Sequence, residues 1–470
     1  MKSNLLSFFT TKWTWHATLI TIIFVSIQAI FLAAYNPGLM SPDSFDQLKQ
    51  ARHVIFFDWH PVFSTLYVYF FDNLFGSPIG VAFANSILYL FFLLLIFETF
   101  NQNKKQLYFV LAFYLVMPIY YLYNISLWKD VPYSYLLALA TLFLYRFLLR
   151  NKITDIILFL FSTTLVSLFR YNGVTVAIAA AISLALLPRV SLRFKALSVS
   201  GLLVAIIISK SLVSLLLPSD HVPAIINLSN PYGILLSHMA SLPNNGGVDL
   251  MTELDDLSVI IAPERLAASY NPGFLPTLFF DPKIGLDHNK VLTHKRLVVK
   301  TFFKLYFRHP LLITKSIVEH GSLAWNPFKV KGQGYYVVEA GGDVCSLDSR
   351  AYSEYKCNEY KVYDIRHIDF VGPDFSNKLD SVIFNEKYVT ILLMRPAWYL
   401  YAMIISVYLF FRKKTNNLLG VIIIGLPILA QTITMFFFVQ AQDYRYHYGL
   451  VVVAPVFLLM TYVLSRRKTI

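Results

Sequence analysis

Long apolar runs separated by short polar breaks form the main pattern of this chain. A run of about 20 apolar residues is long enough to cross a bilayer as a helix. The segment 62–75 is apolar but short, and we expect it to form an interfacial or re-entrant helix. The pattern otherwise predicts an all-α polytopic membrane protein with about ten transmembrane helices, near residues 14–34, 78–100, 107–125, 132–148, 154–170, 174–188, 196–217, 388–411, 417–440 and 447–464.

The composition agrees with a membrane protein. Of the 470 residues, 56% are hydrophobic and only 14% are charged, whereas about a quarter of the residues in a soluble domain carry charge. The net charge of +13 comes from basic clusters in the breaks between apolar runs. With a cytoplasmic N-terminus, ten spans place every such cluster on the cytoplasmic side, as the positive-inside rule requires. The charge therefore indicates membrane orientation and does not indicate nucleic-acid binding.

The ten spans divide the chain into three parts. Residues 1–217 form an N-terminal transmembrane module with a first external loop at 35–77, residues 218–386 form a large external region, and residues 387–470 form a C-terminal segment of three transmembrane helices. Both cysteines, Cys345 and Cys357, lie in the external region. A disulfide between them is expected in an oxidising compartment, and two unpaired thiols are the alternative.

The first external loop contains a predicted helix with two carboxylates. Ser41 followed by Pro42 is typical of a helix start, and it places Asp43 in the first turn, where the helix dipole favours the ionised form. Asp46 follows three residues later on the same side. We expect both carboxylates to be catalytic. The simpler interpretation is that Asp43 only caps the helix and that Asp46 is a solvated residue. Another side of this helix, suited to lying on the bilayer, carries Phe45, Leu48 and Arg52.

Several other external turns carry polar residues that we expect to bind substrate. Each one alone is equally typical of an interface anchor, a snorkelling side chain or, for a lone histidine, a structural hydrogen bond. Their shared side of the membrane is what favours a common site. These residues are Asp58, His60, Lys129, Asp130, Arg170, Asn172, Arg445 and His447.

This arrangement suits sugar transfer from a polyprenyl-phosphate donor. The leaving phosphate is a stable anion, so the reaction needs arginine or lysine to hold it and needs no general acid. The acceptor hydroxyl must lose a proton, which one carboxylate can take. The lipid tail requires a groove between spans. The sequence contains no His/Cys ligand cluster and predicts no metal ligand, and the reaction leaves the use of a divalent ion open.

The motifs PGLMSPDSFDQ, DWHP, SLWKDVPYS, FRYNG and DYRYHY resemble those of the GT-C superfamily of lipid-phosphate-sugar glycosyltransferases. Within it, the chain is similar to bacterial DUF6020-like enzymes and to serotype-converting transferases that modify O-antigen. The resemblance implies that Asp43, or second Asp46, acts as the base or as a metal partner. It also implies that Lys129, Arg170 and Arg445 hold the donor phosphate. The superfamily's acidic pair is often adjacent, and the three-residue spacing here leaves open which carboxylate is the base.

The sequence thus predicts an inverting glycosyltransferase on the external face of a bacterial inner membrane. It would move a sugar from undecaprenyl phosphate to a surface glycan such as O-antigen, and by analogy a donor synthase and a donor flippase are expected partners. One alternative is an O-antigen polymerase or ligase with a diphosphate-linked donor, which needs no acidic first loop. Another is a flippase or transporter, for which inverted repeats and charges near mid-membrane are typical.

Overall fold

The structure is a computed structural model that describes residues 15–217, 225–273, 276–281, 283–328, 370–383, 385, 394–413, 417–439 and 443–467. Within these ranges the chain is helical apart from turns, loops and one isolated β-bridge. Short 3-10 helices occupy Val248–Leu257 and Tyr444–His447. The α-helices are α1 (Trp15–Ala34), α2 (Pro42–His53), α3 (Val62–Phe75), α4 (Ile79–Phe100), α5 (Lys104–Val116), α6 (Pro118–Asn124), α7 (Asp130–Arg150), α8 (Ile153–Phe169), α9 (Gly173–Ala185), α10 (Leu192–Ser214), α11 (Ile225–Gly246), α12 (Pro263–Ala268), α13 (Pro276–Phe280), α14 (His288–Thr293), α15 (Lys295–Arg308), α16 (Pro310–His320), α17 (Ser322–Trp325), α18 (Pro373–Ile383), α19 (Pro396–Arg412), α20 (Leu418–Phe438) and α21 (Tyr448–Arg466).

The helices confirm the expected polytopic membrane fold. Six described segments are long and apolar enough to cross a membrane: α1, α4, α7, α10, α20 and the segment Tyr444–Arg466 that contains α21. The pair α5 and α6, bent by 56° at a short break, gives a seventh. The other three predicted spans correspond to the shorter helices α8, α9 and α19. The count of ten crossings remains a prediction.

Helix α7 lies at the centre of the transmembrane bundle, packed against α4, α8, α20 and α21. Nearly all of it is buried, and tyrosines fill much of the surrounding core. A buried tyrosine hydroxyl needs a hydrogen-bond partner, because no water replaces one there. The Tyr135 hydroxyl accordingly lies 2.6 Å from Asn124 Oδ1 and 2.7 Å from the Tyr448 hydroxyl. These bonds tie α6, α7 and α21 together.

Prolines inside α20 and α21 leave backbone carbonyls without their helical hydrogen bonds. Side chains of neighbouring helices donate hydrogen bonds to these carbonyls instead. Proline has no N–H, so the carbonyl four residues earlier loses its helical donor, which is costly inside a membrane. Tyr120 donates to the Val451 carbonyl that Pro455 leaves free, at 3.1 Å. Ser183 Oγ donates, at 2.9 Å, to the carbonyl four residues before Pro427. The carbonyls that the prolines leave free therefore accept hydrogen bonds from neighbouring helices.

Helices α2 and α3 form a hairpin beside the bundle. The predicted start of α2 after Ser41 and the predicted bounds 62–75 of α3 are both confirmed. The expectation that Phe45 and Leu48 lie on the bilayer is wrong, because both are buried against apolar residues of α3 and α4. Arg52 on the same side pairs with Asp72 of α3, with Nε 2.9 Å from Oδ2. This side of α2 therefore packs against protein.

Residues 225–328 build a second hydrophobic core around α11. On α15, Val298 and Leu305 are buried in this core, whereas Phe307 is exposed. Leu311 at the start of α16 is also exposed. Such an amphipathic pattern is typical of helices at a membrane surface. The division of the chain into three parts at 217 and 386 remains a proposal.

Buried charges occur at both ends of the bundle. Helix α7 runs from Asp130 at one end to Arg150 at the other, a rise of about 30 Å. At the Arg150 end, Arg146 is buried, contacts Glu98, and places Nε 3.0 Å from Asp155 Oδ1. A buried guanidinium is tolerated only when carboxylates neutralise it. These contacts connect α4, α7 and α8 at the end opposite Asp130.

We predict that Asp155→Ala destabilises the protein by about 3 kcal/mol, because Arg146 keeps its burial and loses one of its two carboxylates. Thermal unfolding of the full-length protein in detergent measures the effect. Asp255→Ala removes an exposed carboxylate and serves as the matched control, with little expected change. Equal melting temperatures for the two variants would show that the buried pair contributes nothing.

Candidate active site

Two loop segments meet through their backbones at the end of the bundle that carries Asp130. Leu39 N–H donates to the Ile125 carbonyl at 2.8 Å, and Leu127 N–H donates to the Leu39 carbonyl at 3.0 Å. Gly38 permits this contact, because a Cβ there would lie 2.7 Å from the Ile125 carbonyl oxygen and its φ is +133°. The pairing fixes the loop after α1 against the turn that precedes α7.

The start of α2 is anchored to the same turn by a side chain. Trp128 Nε1 donates to Ser41 Oγ at 2.7 Å, and Ser41 N–H donates to Ser44 Oγ at 3.2 Å. Both hydroxyls therefore hold the first turn of the helix, the position at which helices need side-chain partners. As a result, Asp43 in that turn lies beside Lys129, the next residue after Trp128.

Asp43 forms an ion pair with the 3-10 helix near the C-terminus. Arg445 Nη1 lies 2.8 Å from Asp43 Oδ2, and Arg445 Nε lies 2.7 Å from Asp443 Oδ2. The guanidinium also lies over the rings of Trp128, at 5.3 Å, and Tyr446, at 5.1 Å. Aromatic faces attract cations, so the ion pairs and the rings together fix the orientation of Arg445.

The electrostatics keep Asp43 ionised. Burial is the largest single influence and raises the pKa of Asp43, but Arg445, His60 and Lys129 together outweigh it. The pKa of this carboxyl is held well below its usual range. The side chain is still 30% exposed, against 13% for Arg445. Asp43 is thus a charged and accessible carboxylate.

Lys129 and His60 form a second contact next to Asp43. Lys129 Nζ lies 2.9 Å from His60 Nδ1, and His60 is buried. Burial lowers the pKa of Lys129 to about 8, although Asp43 and Asp130 oppose the change. Burial and then Lys129 lower the pKa of His60 to about 3, so the imidazole is neutral at pH 7. A charged lysine can only donate, so His60 Nδ1 accepts and its proton sits on Nε2, which has no hydrogen-bond partner among the described residues.

Arg170 joins the cluster from the end of α8. It contacts Asp130, the first residue of α7, and its guanidinium lies 4.9 Å from the centre of the Tyr446 ring. Asn172 Nδ2 donates to Gln431 Oε1 at 2.8 Å, and Gln431 Nε2 donates to the Tyr446 carbonyl at 3.2 Å. The turn at Arg170, α20 and the closing 3-10 helix are thereby connected.

The structure brings together Asp43, Lys129, Asp130, Arg170 and Arg445, with His60 behind them. Three cations and three carboxylates, counting Asp443, share this region. Each charge is costly near a membrane, and mutual pairing reduces the cost. The formal charges balance, so an added anion would have to compete with a carboxylate for its cation.

Other predicted site residues lie at the edge of this cluster or outside it. Asp58 contacts the Tyr171 hydroxyl, and Asn227 of α11 donates to the Asp58 carbonyl at 2.6 Å. Asp46 lines a separate cavity on the other side of α2. His447 is buried at the start of α21. The predicted disulfide between Cys345 and Cys357 lies outside the described residues.

Sequence reasoning missed several residues that shape the cluster, among them Asp443, Gln431 and Tyr446. Gln431 lies in an apolar run, and an uncharged polar residue there gives only a weak functional signal. Tyr446 contributes its ring to both arginines, which nothing in the spacing indicates. Among the described residues, no group of three or more His, Cys, Asp or Glu side chains is placed to hold a metal ion.

We predict a measurable coupling between Asp43 and Arg445. In a double-mutant cycle with Asp43→Asn and Arg445→Gln, the coupling free energy from unfolding in detergent should be about 1–2 kcal/mol, because Arg445 is largely shielded from water and Asp43 is partly shielded. The control cycle uses Asp256→Asn and Lys304→Gln, an exposed pair whose Nζ and Oδ2 also lie 2.8 Å apart. Exposed pairs couple weakly, so its coupling should be smaller. Equal couplings in the two cycles would contradict the shielding of the Asp43 pair.

Comparison with known proteins gives one match. Residues 59–213 match the model of the family described as "Dolichyl-phosphate-mannose-protein mannosyltransferase". This range is about a third of the chain and includes His60, Lys129 and Arg170, but it includes neither Asp43 nor Arg445. No curated protein matches significantly, and no solved structure does. The family match supports a glycosyltransferase of the GT-C superfamily.

Proposed function

We propose that this protein is an inverting glycosyltransferase that moves a sugar from a polyprenyl-phosphate donor, with undecaprenyl phosphate as the carrier, to a surface glycan. The reaction would take place on the external face of a bacterial inner membrane. The observation that carries the proposal is the ionised, partly exposed Asp43 next to Arg445 and Lys129, with a third cation, Arg170, close to Lys129. The proposal needs both features, a base and a phosphate site, within one region.

Asp43 would act as the general base. The acceptor oxygen attacks the anomeric carbon of the donor sugar, its proton passes to Asp43, and the bond from that carbon to the phosphate oxygen breaks. A single displacement of this kind inverts the anomeric configuration. Asp43 in its paired state is a weak base because its pKa is low. When a donor phosphate takes over Arg445, the largest source of that lowering is reduced, and the basicity of Asp43 rises where it is needed.

The cations would hold the phosphate. Arg445 and Lys129 flank Asp43, and Arg170 contacts Asp130 and lies 4.9 Å from the centre of the Tyr446 ring. During transfer the phosphodiester donor becomes a monoester, so negative charge grows on the phosphate oxygens. Preorganised cations stabilise that growth more than they stabilise the ground state. This difference is what accelerates the reaction.

An apolar groove supports a donor with a long lipid chain. The groove, with a volume of about 550 Å³, lies between α5, α19 and α21. Phe109, Val110 and Leu458 are among the residues that line it. Tyr399, also on its wall, lies within electrostatic reach of Tyr444, the neighbour of Arg445. A lipid whose phosphate lies at the Tyr399 end of the groove would have that phosphate on the side of the cation cluster.

The geometry favours Asp43 over Asp46 as the base. Asp43 pairs with Arg445, whereas Asp46 faces a separate cavity. The chemical class of the acceptor is also open, because the matched family's description names a protein acceptor. The resemblance to serotype-converting enzymes favours a glycan. A strain that lacks the gene decides between the two, since only one class of acceptor should lose a sugar.

We predict that Asp43→Asn abolishes transfer. In a deletion strain, the wild-type gene should restore a sugar to the surface glycan and Asp43→Asn should not, as judged by mass and linkage analysis of the glycan. With purified protein, kcat should fall by about 10²–10⁴, because the proton acceptor is gone, while the donor is still bound.

Asp255→Asn changes an exposed aspartate in the same way and is the control for expression and activity. Full turnover by Asp43→Asn would remove Asp43 as the base. Loss of turnover in Asp46→Asn together with normal Asp43→Asn would assign the base to Asp46. If the deletion strain loses a sugar from its proteins and retains it on the glycan, the acceptor is a protein.

We predict that kcat/KM for the donor falls as the pH rises through about 8, because Lys129 then loses its proton and its attraction for phosphate. This ratio reports the ionisation of the free enzyme. Lys129→Arg should move the alkaline limb upward, since a guanidinium stays charged. Lys304→Arg, at an exposed lysine on α15, should leave the limb in place. An unshifted limb in Lys129→Arg would remove Lys129 from the phosphate site.

A further inference from the structure

A second cavity, with a volume of about 320 Å³, lies beside α2. It adjoins a different face of α2 from the face that packs against α3. One wall is a polar stripe on α2 formed by Asp46, Lys49 and His53. Their spacing of three and four residues places them on one helix face. The stripe presents a carboxylate, an ammonium and an imidazole to the same space. It is therefore equipped to donate and to accept hydrogen bonds.

The opposite wall is apolar and comes from the loop after α2. Ile55, Phe57 and Trp59 alternate along this segment, and all three line the cavity. Gln50 fastens the loop to the helix, because its Oε1 accepts from the Phe57 N–H at 3.0 Å and its carbonyl accepts from the Ile55 N–H at 3.1 Å. The cleft between the two walls is thus built by specific bonds.

The cleft is connected to the candidate active site at two points. Asp46 follows Asp43 by three residues, a rise of about 4.5 Å along α2. Trp59 lines the cleft, and its ring lies edge-on at 6.4 Å from that of His60, whose buried Nε2 has no hydrogen-bond partner among the described residues. The cleft therefore adjoins the candidate active site, with Asp46 and Trp59 each lying next to one of its residues.

From this geometry we infer that the cleft binds the acceptor, and that the acceptor presents a saccharide ring there. A sugar ring has apolar C–H faces and polar hydroxyl edges, and the cleft offers a flat indole on one wall and charged groups on the other. Asp46 and Lys49 bind ring hydroxyls, and Trp59 packs against the C–H face. The reacting hydroxyl then points along α2 toward Asp43. This inference rests on the proposed function and specifies its acceptor.

A kinetic split tests the inference. The full-length protein in detergent is given the polyprenyl-phosphate-sugar fraction of the deletion strain as donor and oligosaccharides cut from that strain's unmodified surface glycan as acceptor. Trp59→Ala should raise the acceptor KM about tenfold, because ring stacking is lost, and the donor KM should not rise. Trp59→Phe should restore much of the acceptor affinity. Trp15→Ala, at a tryptophan that is 67% exposed on α1, should change neither constant.

The outcomes separate the two proposals. An unchanged acceptor KM in Trp59→Ala overturns the cleft and leaves the glycosyltransferase intact. Transfer by the wild type to polypeptides of the same strain, and not to the oligosaccharides, also removes the saccharide cleft. If the wild type consumes no donor with any acceptor, the proposed function fails and the cleft fails with it.

Discussion

The ion pair between Asp43 and Arg445 is the contact on which the candidate site depends, because it joins α2 to the 3-10 helix Tyr444–His447. Neither charge is favourable at a membrane surface without the other. The same holds for Arg170 with Asp130, and for Arg445 with Asp443. The folded bundle therefore brings the charges together, and the charges in turn make that arrangement of loops favourable. A site of this kind exists only when distant hairpins have packed.

The sequence predicted the features that arise from local physics. Apolar run lengths indicated the spans, and the Ser41-Pro42 start gave the first residue of α2 correctly. Pairing between distant segments left no such signal: nothing in the spacing links Asp43 to Arg445. The lipid-facing side of α2 was misjudged for a different reason. Protein interior and lipid are both apolar, so Phe45 and Leu48 fit either environment, and only packing against α3 decides between them.

Helical spacing also could not assign separate tasks to the two aspartates. Residues three apart on a helix share a face but are offset by about 60° around the axis, so one sequence pattern is compatible with a shared site or with two adjoining ones. The structure places Asp43 toward Arg445 and Asp46 toward the cleft with Trp59. A short helix whose two edges face different spaces is a simple way to hold a donor phosphate and an acceptor ring side by side.

The balance of charge in the cluster bears on product release as well as on transfer. The phosphodiester donor carries about one negative charge, whereas the monoester product carries about 1.5 to 2 at pH 7. Cations that favour this increase also favour the bound product, so a site of cations alone would release it slowly. Here Arg445 is shared with Asp43 and Asp443, and Arg170 with Asp130. In the proposed reaction, Asp43 would regain its charge once it has passed on its proton and would compete with the product for Arg445, which would lower the cost of release.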